Sequence, residues 1–263
     1  MVSSSRVSRR TVLKGAAGAA FGLGSVAVLP LFGTGGLKQD PAQCRATDES
    51  VRDKRFVISN WPLYIDEPTK KKPSTLQQFE HSTGIKVSYT DDVNDNDEFF
   101  AKVKNQLGSC QSTKRDMFVL TDWMAARVID VGWIQPMDPA KVPNLHHNII
   151  DSLAHPAWDP DRKYSAPWQS GLTGLAYNKK YLDKPVKSYG ELLTRKDLNG
   201  RVTMLTELRD TMGLIMLSQG ADPANFTNHE WEVAMEALTK ATSDHQIRRF
   251  TGNDYVQDLS AGN

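Results

Sequence analysis

From Arg55 onward the chain alternates short apolar strands with amphipathic helices, and this rhythm constrains its fold more than any other feature. Phe56-Val57-Ile58-Ser59 is a short apolar run that ends at Asn60-Trp61-Pro62. Leu76 to His81 is helical in pattern, and Thr83-Gly84 stops it, with Gly84 suited to the left-handed cap. Ile85, Val87 and Tyr89 alternate with Lys86 and Ser88, the period of a strand. Phe99, Phe100, Val103 and Leu107 share one stripe of a helix over Glu98–Leu107. Met117-Phe118-Val119-Leu120 is a continuous apolar run, which predicts a buried strand, and a helix over Trp123–Val131 follows it. A second series contains a strand near Leu172–Tyr177, a helix around Tyr189–Leu193 and a strand at Val202–Leu205. Helices near Met212–Gln219 and Trp231–Ala241 come next. Strands separated by helices imply an α/β fold with mostly parallel sheets. We expect a first α/β lobe over residues 55–166 and a second over 167–263. The expected hinge lies near Ala166-Pro167-Trp168.

The segment before this rhythm differs in kind. Ser8-Arg9-Arg10-Thr11-Val12-Leu13-Lys14 matches a twin-arginine export pattern, with Val12 where Phe is usual, and an uncharged Gly- and Ala-rich run extends from Gly15 to Phe32. Gly15, Gly18, Gly22 and Gly24 disfavour a stable membrane-spanning helix there. Residues 1–36 therefore read as an export signal handled by the twin-arginine translocase, and 37–54 as a polar linker. No Ala-x-Ala site follows the apolar run, which leaves open both a cleaved signal and a retained one that tethers the protein to the membrane. The expected location is extracytoplasmic.

Residues 1–36 carry four basic side chains and no acid, so the overall formal charge of +1 becomes −3 for residues 37–263. That balance disfavours nucleic acid and suits a cationic ligand. With 39% hydrophobic and 24% charged residues, the chain has the composition of a folded globular protein. Outside the cytoplasm, two cysteines more often pair than stay free, so Cys44 and Cys110 are expected to form a disulfide; two buried thiols are the alternative.

Motifs for catalysis and metal binding are missing from the sequence. There is no Gly-Lys-Ser/Thr phosphate loop, no Gly-x-Ser-x-Gly elbow and no His-Glu-x-x-His. His146-His147 are adjacent and diverge. The stretch Asp91–Asp97 has the acidity of a calcium loop, but counted from Asp92 it places Asp97 where Gly is obligatory and Val103 where Glu is required. It reads as a surface turn capping the next helix, and neither a metal nor a cofactor is expected. What remains is aromatic and acidic and follows the expected strand ends: Trp61 and Tyr64, then Asp122 and Trp123, then Trp168, then Glu207 and Asp210. Ligands of open parallel sheets collect beyond the carboxyl ends of the strands. Aromatic faces hold a methylene chain and attract ammonium groups, while carboxylates fix the ends, so the set suits an elongated polyamine.

At these residues the chain resembles the bacterial spermidine/putrescine-binding proteins, the extracytoplasmic partners of ABC importers. The resemblance covers Arg55 to the end. It rests on Ser59-Asn60-Trp61-Pro62-Leu63-Tyr64, Glu80-His81-Ser82-Thr83-Gly84-Ile85-Lys86-Val87, Tyr164-Ser165-Ala166-Pro167-Trp168, Leu205-Thr206-Glu207-Leu208-Arg209-Asp210 and Thr251-Gly252-Asn253-Asp254-Tyr255. It implies a two-lobed, periplasmic-binding-protein-like fold that closes on its ligand like a hinge and then meets a membrane permease, as a monomer and without catalysis. It also implies aromatic contacts at Trp61, Tyr64 and Trp123, a hydroxyl contact at Thr121 and an acidic contact at Asp210. Pro62-Leu63 stand where the family often has an acid, and the Glu207–Asp210 loop is one residue shorter than the family pattern. Which of the two acids takes the ammonium is thus open. The family continues beyond Asn263, so the second lobe and the return to the first are expected to be incomplete, with a cleft open on one side. The rival readings are a binding protein for another small cationic solute and a secreted glycoside hydrolase using Glu207 and Asp210 as paired carboxylates. The latter suffers because both acids sit in one short loop, whereas glycosidase acids flank the scissile bond.

Overall fold

The computed structural model describes Cys44 and residues 48–262. The expected export signal and most of the linker lie outside the described residues. The chain builds two parallel sheets. The first has the order β2-β1-β3, with β1 spanning Arg55–Ser59, β2 Lys86–Thr90 and β3 Met117–Phe118. Helix α1 (Thr75–Thr83) links β1 to β2, and α2 (Asn96–Gly108) carries the chain to β3 on the other side of β1. The carboxyl end of β1 is therefore the point where the winding reverses. That point is where an open α/β sheet leaves a crevice.

Local chemistry sets the ends of these elements. Ser74 and Gln77 form a reciprocal capping box at the start of α1, and Gly84 ends it in a left-handed conformation at φ 71°. Asp95 caps α2 by accepting from the Glu98 amide at 2.9 Å. The buried side chains of α2, Phe99 and Val103, pack with Trp61 and Val93 in one apolar cluster. Arg115 ties the strand ends together: it donates to Ser59 Oγ at 2.7 Å, pairs with Asp92 at 2.6 Å and lies 5.5 Å from the Phe99 ring centroid. Helix α3 (Asp122–Asp130) follows β3 and buries Met124 and Val128. The short helices α4 (Pro143–Asn148) and α5 (Asp151–Ala154) lead on to a tight loop. In that loop the buried Asp159 carboxylate accepts from the Lys163, Tyr164 and Ser165 amides and the Ser165 hydroxyl, which fixes the approach to Trp168.

The second sheet pairs β4 (Val202–Leu205) with β5 (Ile247–Thr251), again in parallel. Helix α6 (Tyr189–Thr194) precedes this sheet, and α7 (Leu208–Ser218) and α8 (Asn228–Ser243) form the crossover between its strands. Met212, Ile215 and Met216 of α7 pack on Ala234 of α8, and Val202, Met204 and Ile247 from the strands cluster with Val186, Leu198 and Ala241. Helix α9 (Tyr255–Ala261) follows β5 and sets the Asp258 carboxylate between Arg248 and Arg249 at 3.0 and 2.7 Å.

Three sequence expectations are corrected. The run Met117–Leu120 forms a strand only over Met117–Phe118 and is not fully buried, because β3 is the edge of its sheet and pairs with β1 alone. Leu172–Tyr177 is not a strand: it enters no ladder with a described strand, and Leu172 is fully exposed. Alternating hydrophobicity marks a segment that could pair, but only a neighbouring strand supplies the hydrogen bonds. The acidic stretch Asp91–Asp97 does cap α2, yet it is no simple surface turn, since Val93 and Asn96 are fully buried within it. Strand β5 and helix α9 were not anticipated.

Cys44 and Cys110 are joined by a disulfide across a sequence separation of 66, which pins the N-terminal extension to the end of α2. Gln135 Nε2 donates to the Cys44 carbonyl at 2.6 Å on the same face. Closing a loop of that length restricts the unfolded chain by about 4 kcal/mol in the chain-entropy treatment. Cys110→Ser is therefore expected to lower the unfolding free energy by about 2–4 kcal/mol, read by urea denaturation with the oxidised wild type as reference.

Candidate functional site

The loops at the carboxyl ends of the two sheets meet, and a cleft of about 1930 Å³ runs along their junction. Asn94, Asp95 and Asn96, which follow β2, form the first-sheet side of this seam. Thr206 and Glu207 after β4, and Gly252 and Asn253 after β5, form the other side. The Asn253 amide donates to Asn94 Oδ1 at 2.9 Å, and the Thr206 hydroxyl donates to the Asp95 carboxylate. Asn96 Nδ2 reaches Glu207 Oε2 at 2.5 Å, and Trp123 Nε1 reaches Glu207 Oε1 at 2.7 Å. Approach at Gly252 is so close that a Cβ there would strike the Asn94 carbonyl.

Of the residues singled out in the sequence, Trp61, Tyr64, Thr121, Asp122, Trp168, Glu207 and Asp210 line the cleft together. Trp61 is only 8% exposed and packs into the Val93–Phe99–Val103 cluster, so most of its ring is core. Its ring centroid is 6.2 Å from that of Tyr64. Trp168 is exposed, and its indole N–H donates to the Tyr64 carbonyl at 3.1 Å, which draws the segment after Pro167 across to the first-sheet side. The Thr121 amide donates to Asn96 Oδ1 at 3.1 Å, while its buried hydroxyl has no partner among the described residues. Asp122 Oδ1 accepts from the Trp123 amide at 2.7 Å in the first turn of α3.

Trp123 departs from its expected role as a wall of the cleft. Its indole turns to Glu207, and the Arg209 guanidinium lies 5.4 Å from its ring centroid. A cation of the protein itself thus occupies the face on which an amine was expected.

The acids differ in setting. Asp210, in the first turn of α7, accepts from the Thr173 hydroxyl at 3.1 Å. Glu207 is half-buried at the N-cap of α7. Burial pushes its carboxyl above the ordinary glutamate value, Asp210 and Asp95 add to the rise, and the bonds from Asn96 and Trp123 oppose it. Among the described residues no group of three or more His, Cys, Asp or Glu side chains could hold a metal ion. Among the same residues, no helix is long and apolar enough to cross a membrane.

The sequence reading missed Asn94, Asn96, Thr206, Gly252 and Asn253. The signal available was their position directly after strands, but small amides and hydroxyls in turns are too common to single out without a partner across the seam.

A profile of the bacterial extracellular solute-binding proteins matches residues 74–263. The putrescine-binding periplasmic protein PotF of Escherichia coli is 29% identical over 230 residues, covering 81% of this chain and 57% of the relative. The spermidine/putrescine-binding periplasmic protein of Salmonella typhimurium is 25% identical over 211 residues, 80% of this chain and 56% of its own length. The chain thus spans slightly more than half the length of these curated relatives. Among solved structures, the TpPotD lipoprotein of Treponema pallidum superposes with a TM-score of 0.61 at 26% identity, covering 79% of this chain and 61% of that one.

The seam yields a direct test. Gly252→Ala forces the Asn94 backbone to move and is expected to destabilise the protein by about 1–3 kcal/mol, the usual cost of overpacking. Gly171→Ala, where the added Cβ meets nothing, should change stability by less than about 0.5 kcal/mol. Paired denaturation curves of the two variants measure the difference.

Proposed function

The chain belongs to the bacterial extracellular solute-binding proteins, and we propose that within this family it captures a polyamine such as putrescine or spermidine for an ABC importer. The observation that carries this reading is the convergence of Trp61, Tyr64 and Trp168 with Glu207 and Asp210 on one cleft. The relatives named above bind these amines, according to their names. An elongated diamine lays its methylene chain against aromatic surface and ends its ammonium groups on carboxylates, where charge-assisted hydrogen bonds are strong. Asp210 accepts from the Thr173 hydroxyl, while Glu207 already accepts from Asn96 and Trp123.

In this reading residues 55–166 and 167–263 act as two lobes that close about the segment Ala166-Pro167-Trp168, and the closed form is presented to a membrane permease. Export through the twin-arginine translocase fits Arg9-Arg10 and the run after them. A different cationic solute is the alternative within the same site. The glycosidase reading has little support: Glu207 and Asp210 lie three positions apart at the start of α7, on one side of the cleft, and their mutual repulsion marks them as neighbours.

Titration of the full-length protein with putrescine and spermidine, followed by the fluorescence of its six tryptophans, tests the proposal. Saturable binding is expected, with Asp210→Asn weakening affinity on the order of ten-fold and Trp168→Ala on the order of several-fold. A protein that responds to neither polyamine, or whose affinity is untouched by both substitutions, would overturn it.

A further inference from the structure

The second sheet and its helices do little to orient Glu207. It sits at the N-cap of α7 without making a cap bond from its side chain, and both of its oxygens face residues of the first-sheet side. Asn96 is fully buried, and its amide cannot turn around without loss. Its Oδ1 accepts from the Thr121 amide at 3.1 Å, which leaves its NH₂ for Glu207 Oε2. Trp123 gives its N–H to Oε1, is covered by Arg209 and does not line the cleft that Glu207 lines.

We propose that Asn96 and Trp123 are positioning residues, a two-donor cradle that aims the Glu207 carboxylate into the cleft as an amine acceptor. Trp123 then serves the ligand through Glu207 and not by ring contact. This deepens the polyamine reading and rests on it for the identity of the ligand.

The chemistry favours the ionised acid. A carboxylate has about four lone-pair directions, so with one N–H on each oxygen it can still accept an ammonium. Protonation removes the charge and gives one oxygen's lone pair to a proton, so the bonds that the two N–H donors make to the acid are weaker than those to the carboxylate. Against the cradle stand burial and the charges of Asp95 and Asp210; Asp122 lies beside Trp123 in the chain, and the Arg209 guanidinium lies over the indole. Burial already pushes the carboxyl above the ordinary glutamate value and the two donors oppose that rise, so removing a donor raises it further. Amine binding, which needs the ionised form, is then lost at a higher pH as the solution is acidified.

The experiment uses the whole protein in two arms. In the first, without ligand, the indole N–H resonances are assigned by through-bond NMR correlation and followed from about pH 8 to about pH 4, a window that spans the glutamate range. The Trp123 resonance is expected to move in one step that is missing in Glu207→Gln. A resonance indifferent to that substitution overturns the cradle. In the second arm, putrescine affinity is measured against pH for Trp123→Phe, which keeps an aromatic ring and removes the donor. The affinity is expected to fall on the order of five- to ten-fold, with the acid midpoint moved upward. The double variant Trp123→Phe/Glu207→Gln should bind no more weakly than Glu207→Gln alone. Additive losses or an unmoved midpoint overturn it. A wild-type protein that ignores putrescine sinks the polyamine reading alone, because the ligand-free arm still decides the cradle.

Discussion

The hydrogen bonds across the strand-end seam, and those to Glu207 above all, are the interactions on which the rest of the site depends. Asn96 and Trp123 reach Glu207 from the first-sheet side, and the Asn253 amide reaches back to Asn94. These bonds, together with the Thr206–Asp95 bond and the close approach of Gly252 to Asn94, join the two sheets. With them, the carboxyl ends of β1, β3, β4 and β5 open on one cleft, and the aromatic residues of one side face the acids of the other. A half-buried carboxylate held between two neutral donors is tolerable because each oxygen is satisfied, while its raised pKa records the remaining cost of burial.

The seam also explains why the site is assembled from loops and not from the strands themselves. Parallel strands leave their carboxyl ends facing the same way, and the reversal of winding about β1 separates the loops after β1 and β3 from their neighbours. The tight Asp159 loop then delivers Trp168 to the same edge by holding the Tyr164 and Ser165 backbone. The Arg115 network holds Ser59 and Asp92 behind the cleft, so the first-sheet side of the seam is braced from below.

Much of this was legible from residue order. The period-two run at Ile85–Tyr89, the stripe Phe99–Val103–Leu107, the cap at Gly84 and the capping turn Asp91–Asp97 are local signals, and each produced the element it implied. Local signals failed where the outcome depended on a distant partner. Leu172–Tyr177 has a strand's composition but no strand beside it, and β3 shrank to Met117–Phe118 at a sheet edge. Trp123 was recognisable as an aromatic following a strand. Its direction was not, because the competing partners, Glu207 and Arg209, lie more than eighty positions away along the chain.

Sequence alone therefore determined the α/β class, the absence of familiar catalytic motifs and the set of aromatic and acidic residues placed after strands. These follow from periodicity and chemistry confined to a few neighbouring positions. Only the tertiary structure decided which of those residues share the cleft, that Trp61 is largely core and that Trp123 holds an acid of the opposite side. It also picked out Asn94, Asn96 and Gly252 as essential to the seam. The reason is physical: a hydrogen bond or a close backbone approach between segments remote in sequence leaves no periodic trace in either one, and exists only once both sheets are in place.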